Sequence, residues 1–174
     1  MFRRSLLAGT MLAIALAGPA FAYAARHPGW DAMCARGNQP FDFCSPHPGP
    51  ASVSYTPELE QTLQAVNEQI NASYRYSPDA REHWTLPRGG TADCEDYVLA
   101  KIVQLARAGV PVSAMSIAAG QLYNGRWHAV LSIRTSVGDA ALDSRHGNLA
   151  PLGSVGFRWG FIMSMRQPGN WVAL

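Results

Sequence analysis

No stretch of this 174-residue chain holds the roughly 20 consecutive apolar residues that a membrane-spanning helix requires, so stable membrane insertion is not expected. A large excess of one charge is also lacking. Fourteen basic side chains face twelve acidic ones, too even a balance for the basic stripe of a nucleic-acid or anionic-membrane binder. Cysteine is scarce, at positions 34, 44 and 94 only, and no closely spaced pair suits a structural zinc. There is no EF-hand loop, no internal repeat, no low-complexity tract and no segment that points to an organic cofactor.

What the first residues do have is the grammar of an export signal. Arg3 and Arg4 form a basic start, residues 6 to 17 are almost wholly apolar, Gly18 and Pro19 interrupt, and Ala20-Phe21-Ala22 offers a small-x-small cleavage site. Residues 1–22 are therefore expected to be a signal peptide. The product would be periplasmic or secreted, and soluble, with no cysteine after the cut to carry a lipid. Cleavage removes two arginines and no acid, leaving twelve basic and twelve acidic side chains on 152 residues. That is enough for one domain with its own core, a monomer by default. In an oxidising compartment Cys34 and Cys44 are expected to pair, adding about 2–3 kcal/mol if unstrained. Cys94 is then a lone thiol, an oxidation liability unless it is buried or used.

Residues 23–55 are rich in Pro and Gly and read as an irregular arm against the domain that follows, residues 56–174. Thr56-Pro57-Glu58 is a helix start: a capping hydroxyl, Pro at the first position, acid in the first turn. Leu59, Leu63, Val66 and Ile70 then form one apolar stripe, with an end near Ser73. After a loop over 74–92, a second helix is expected from Cys94 to Ala108, with Val98, Ile102, Leu105 and Ala106 inward and Gly109 as its stop. The period then turns strand-like. Residues 114–123 and 126–134 flank Asn124-Gly125, a strong hairpin signal. A turn at Val137-Gly138-Asp139 leads to a short strand from Ala140 to Asp143, and further strands are expected over 157–166 and near Trp171. Helix, helix and antiparallel meander make an α+β domain.

Cys94 begins the second helix, where the partial positive charge and free N–H groups of a helix N-terminus favour thiolate and can hold an oxyanion. His128 lies two residues into the second hairpin strand, on the face it shares with Val130, where it could act as base and then acid. Asp143 ends the next strand and could orient the imidazole if the register is right. Taken singly, each has an ordinary structural reading: core thiol, strand histidine, turn aspartate. The three together point to nucleophilic catalysis.

The run Gly90-Thr91-Ala92-Asp93-Cys94-Glu95-Asp96-Tyr97-Val98-Leu99-Ala100-Lys101, followed by Gly109-Val110-Pro111, Trp127-His128-Ala129-Val130-Leu131 and Leu142-Asp143-Ser144-Arg145, resembles the bacterial transglutaminase-like cysteine proteinase family over residues 55 to 174. The resemblance implies a papain-like, transglutaminase-like core with the nucleophile helix packed on an antiparallel sheet. It also implies a triad of Cys94, His128 and Asp143 and a protein or peptide substrate, including periplasmic or surface proteins. Two departures stand out. Ala92 replaces a usual Gly, and Ser144 replaces a usual Asn after the triad Asp, which implies a looser hold on Asp143.

Asp93, Glu95 and Asp96 are ordinary helix-start chemistry, with Asp93 as cap and the others facing the dipole. Three carboxylates beside a thiol also oppose its ionisation. In LapG-like members of the family the acids flanking the nucleophile bind calcium, which would fall on Asp93 and Glu95, where Ca²⁺ would cancel that penalty. His27 and His47 lie in the arm, His83 lies in a loop, and His146 is a poorly held rival base. Trp84 reads as packing before it reads as part of an oxyanion hole. The leading expectation is a cysteine peptidase working through an acyl-enzyme. The alternatives are acyl transfer to an amine, as in a transglutaminase or amidase, and a non-catalytic periplasmic binding module that keeps the fold.

Overall fold

In the computed structural model, which describes residues 27–174, the N-terminal stretch expected to be irregular carries a helix, α1 (Pro28–Arg36). Pro28 presets the first turn, and Gly37 ends the helix in the left-handed region at φ 63°. The density of Pro and Gly around it disguised a nine-residue helix, one too short to hold together without tertiary contacts. Those contacts come from Trp30 and Met33, one turn apart and both buried. Cys34 and Cys44 form the expected disulfide, Cα–Cα 5.7 Å. The expected signal peptide and its cleavage site lie outside the described residues.

The second helix, α2 (Pro57–Ser73), starts where its sequence dictates, with the Thr56 hydroxyl accepting from the Leu59 N–H at 3.2 Å. It buries Leu63, Val66 and Ile70, while Leu59 is only half-buried. Within the expected loop, β1 (Arg75–Tyr76) and β2 (Thr91–Ala92) pair in parallel. They bring Tyr76 alongside the residues that lead into α3 (Cys94–Arg107). Asp93 caps α3, its carboxylate accepting from the Asp96 N–H at 3.4 Å.

Six strands follow in one antiparallel sheet: β3 (Met115–Gln121), β4 (Trp127–Thr135), β5 (Gly138–Leu142), β6 (Ala150–Pro151), β7 (Arg158–Ser164) and β8 (Trp171–Ala173), in the order β6-β5-β4-β3-β7-β8. The expected meander holds only through β6. After it, β7 returns to the free edge of β3. Pro151, with no N–H to offer, sits in a two-residue edge strand that blunts further pairing on that side.

Helices α2 and α3 cover one face of the sheet. Leu99, Ile102 and Leu105 of α3 meet Met115, Ile117, Leu131 and Ile133 there, all fully buried. Each such side chain is worth about 1.5–3 kcal/mol of burial. A smaller cluster on the other face gathers Ala118, Val130 and Ala141 with Phe157 and Trp159. One member of the helix-side interior is unexpected. Lys101, the chain's single lysine, is entirely buried, and its Nζ donates to the Leu142 carbonyl at 3.3 Å.

Candidate active site

The β4–β5 ladder pairs Leu131 with Leu142 and goes no further toward the start of β4. One more step of that register would set Asp143 opposite Val130, diagonal to His128 and on its face, within reach of a long side chain. The reach is made, with His128 Nε2 2.8 Å from Asp143 Oδ1 and both residues buried. Where β5 stops, β4 has an open edge, and there the Ala129 N–H turns to the Cys94 sulfur. Cys94 and His128 line one cavity of about 390 Å³. The residues expected to act together are thus gathered at one end of the sheet, where α3 begins and β5 ends.

Asp143 is held on several sides. Arg145 gives it a backbone N–H at 2.9 Å and guanidinium bonds from Nη2 at 2.9 Å and Nε at 3.2 Å. Asn71 of α2 holds its carbonyl at 2.9 Å. Burial pushes this carboxyl up, but the hydrogen bonds from His128 and Arg145 outweigh it and hold the group well below the usual carboxylate range. The looser hold implied by Ser144 is offset by its neighbour. Phe157 stands edge-on to His128, centroids 5.4 Å apart, with the Arg145 guanidinium 4.8 Å from the same ring. Gly120 permits this approach, since a Cβ there would lie 2.9 Å from the Arg158 carbonyl and 3.0 Å from Phe157, at a bulge in the β3–β7 register.

At the thiol the two expected influences, helix N-terminus and flanking carboxylates, oppose each other, and burial adds to the second. Burial, first, and the Glu95 carboxylate, second, push the Cys94 thiol far up, against the Ala129 N–H that lowers it. The expected advantage of the helix N-terminus is overridden by burial and then by the acids that share it. The thiol donates to Glu95 Oε2 at 3.2 Å. Burial and then the charge of Asp93 raise Glu95 to about 8 and Asp96 to about 7, and burial raises Asp93 as well. Asp96 is also structural, accepting the Thr85 N–H at 3.0 Å.

These buried carboxylates, with Asp79 and Glu82 adding to their field, offer the hard oxygen donors and unbalanced negative charge that suit Ca²⁺. As they stand, no group of three or more His, Cys, Asp or Glu among the described residues is arranged to hold a metal ion.

Trp84 is 2 % exposed and meets Trp30 edge-on at 5.3 Å and Trp171 at 6.1 Å, the packing role expected of it. His146 is exposed, and only its backbone takes part, accepting from Asn67 and Asn71. His83 is exposed and His47 sits with Phe41 in the arm. His27, ranked low in the sequence, lines the cavity with Cys94. Phe157 and Asn71 carried no signal of a site role because each reaches the site from a distant element, while Arg145 stood in the Leu142-Asp143-Ser144-Arg145 run without being singled out.

The family model described as bacterial transglutaminase-like cysteine proteinase, BTLCP, matches residues 22–174. A search of curated proteins returned no match. Among solved structures the chain is similar to Legionella pneumophila LapG in its calcium-bound form, at 22% identity and a TM-score of 0.58, over 69% of this chain and 71% of that one. The EGTA-treated form of that protein gives 22%, 0.57, 70% and 69%, and a further LapG structure 23%, 0.55, 64% and 67%. These likenesses support the α+β, transglutaminase-like fold.

Proposed function

The chain belongs to the bacterial transglutaminase-like cysteine proteinase family and is a cysteine peptidase of transglutaminase-like type, and from that premise we propose that it cleaves peptide bonds of exported proteins with Cys94, His128 and Asp143. The observation that carries the reading is the 2.8 Å contact between His128 Nε2 and Asp143 Oδ1, at the cavity that Cys94 also lines. With Nε2 turned to Asp143, Nδ1 is the nitrogen left for the sulfur. The buried carboxylate fixes the ring and stabilises its cation.

The proposed reaction runs in two halves. The thiol proton passes to His128 Nδ1 as sulfur attacks the scissile carbonyl, and the oxyanion turns to the N–H groups that open α3. The imidazolium then gives its proton to the departing amine nitrogen, the C–N bond breaks, and an acyl-Cys94 thioester remains. Water attacks that carbonyl, again losing a proton to Nδ1. The C–S bond breaks, the sulfur regains the proton, and the carboxylic acid leaves.

Calcium is part of this proposal, with Asp93 and Glu95 as the residues that would hold it. When bound, it would neutralise the negative charge beside the sulfur and order the loop before α3. Residues 1–22 are proposed as an export signal and the periplasm as the working compartment, which the Cys34–Cys44 disulfide supports. None of the helices among the described residues is long and apolar enough to cross a membrane.

The test is turnover of an unfolded protein substrate. Cys94→Ala or His128→Ala should each lose on the order of 10³-fold or more. Undiminished cleavage by the Cys94→Ala protein would defeat the reading.

A further inference from the structure

Two cavities meet at the Trp127–His128 ridge, and their linings differ in chemistry. The first holds Cys94 and is walled by Trp84, Trp127, Phe161 and Trp171. The second, about 280 Å³, is lined by His128, Tyr76, Tyr97, Ser144 and two guanidinium side chains, Arg126 and Arg145. Trp127 divides them. Its indole lies 5.9 Å from the Phe161 ring, nearly parallel at 14°. It also lies across Gly160, where a Cβ would come within 2.6 Å of the indole carbons. The ring is held by packing yet is 53 % exposed, and Tyr76 beside it is 47 % exposed. Large exposed rings at a cleft mark a surface that binds something.

In the second cavity Arg145 is committed to Asp143. Arg126 instead donates to the Tyr76 hydroxyl at 2.6 Å and lies 5.7 Å from that ring, so its described partner is a phenol rather than a carboxylate. A cation at the rim of a partly enclosed cavity selects for negative charge.

We infer that the cleft recognises an extended polypeptide segment with a bulky apolar side chain on one side of the scissile bond and an acidic side chain on the other. The apolar group enters the Trp-walled cavity, and the acidic group meets Arg126. This inference rests on the proposed peptidase function and names its substrate class.

A library of fluorescence-quenched peptides, varied at each position around the cut and read by mass spectrometry, tests it. The wild-type protein should cut with higher kcat/KM when one side carries Leu, Phe or Tyr and the other carries Asp or Glu. At the acidic position, Arg126→Glu should shift the Glu-over-Lys ratio toward Lys by about tenfold or more, as expected when a favourable charge pair becomes an unfavourable one. The apolar preference should persist in that variant, and Trp127→Ala should flatten it. Wild-type cleavage with no charge preference, or an Arg126→Glu protein that keeps the wild-type ratio, overturns the inference while the peptidase reading stands. Equal cleavage by Cys94→Ala, or none by the wild type, removes the peptidase reading and this inference with it.

Discussion

Replacing Lys101 by Met should change how stability depends on pH, and the size of the change follows from where the lysine sits. Burial pulls its pKa from 10.5 down to about 7, against the opposing pull of the Asp143 charge. The amine has one carbonyl bond, to Leu142, and lies 6.0 Å from the Tyr97 ring centre. In the unfolded chain it keeps its ordinary value. Between the two values the unfolded chain holds one more proton than the folded one. Stability therefore rises with pH in that window, by up to about 1.4 kcal/mol per unit. Below the folded value both states are protonated, and the slope vanishes.

From pH 7 to 8.5 the lysine should thus add about 1.5 kcal/mol that methionine, which does not titrate, cannot supply. Below pH 7 the Met variant should match or exceed the wild type, since an apolar replacement of similar length removes a buried charge. Asp143 is ionised throughout this range and leaves the difference untouched. Urea unfolding of both proteins between pH 5.5 and 8.5, with the disulfide intact, gives the difference curve directly from the midpoints at constant m. Parallel curves over the whole range would refute the reasoning.

Arg145→Leu removes the guanidinium bonds that fix Asp143 and should lower kcat/KM by about 10- to 100-fold, as losing a partner of a site residue does elsewhere. Its melting temperature should fall as well, because buried Asp143 loses a charged partner. Ca²⁺ at about 100 times its dissociation constant should stabilise the protein by about 2.7 kcal/mol, read as a rise in melting temperature. The double variant Asp93→Asn, Glu95→Gln should show no such rise, and a wild type indifferent to both Ca²⁺ and chelator would end the calcium proposal. Reducing the Cys34–Cys44 bridge, or Cys34→Ser with Cys44→Ser, should cost about 2–3 kcal/mol in urea unfolding, since it frees the arm that carries Trp30 and Met33.

The parts legible in the sequence were those whose information is local. Thr56-Pro57-Glu58 and the spacing of Leu63, Val66 and Ile70 placed α2, Asp93 and Gly109 bracketed α3, and Asn124-Gly125 set the hairpin that carries His128. The nearness of Asp143 to His128 was only a possibility in the sequence, because a strand register is a tertiary fact; one residue of slip would have turned the carboxylate to the opposite face. The return of β7 to the edge of β3 was invisible for the same reason, and with it the contact of Phe157 on His128. Helix α1 was missed because its stability comes from Trp84 and Trp171, far along the chain. Lys101 was missed because residue type argues for the surface, and only the packing of α3 on β4 and β5 puts this lysine inside.

A tension within the site then explains why more than one device converges on Cys94. Asp93 caps α3 and, with Glu95, raises the thiol's pKa, while Asp96 beside them anchors Thr85. Removing Asp93 and Glu95 would ease ionisation of the sulfur but leave the helix uncapped. Keeping them means that the resting sulfur is protonated and bonded to Glu95. On the proposed mechanism a base must therefore take the proton at the moment of attack, and its own cation must then be stabilised. A carboxylate held well below its usual range by His128 and Arg145 provides that stabilisation, because it stays ionised at neutral pH. The bonds from Arg145 to Asp143 and the charges around Cys94 are thus two halves of one electrostatic arrangement, and a change in either should be felt at the sulfur.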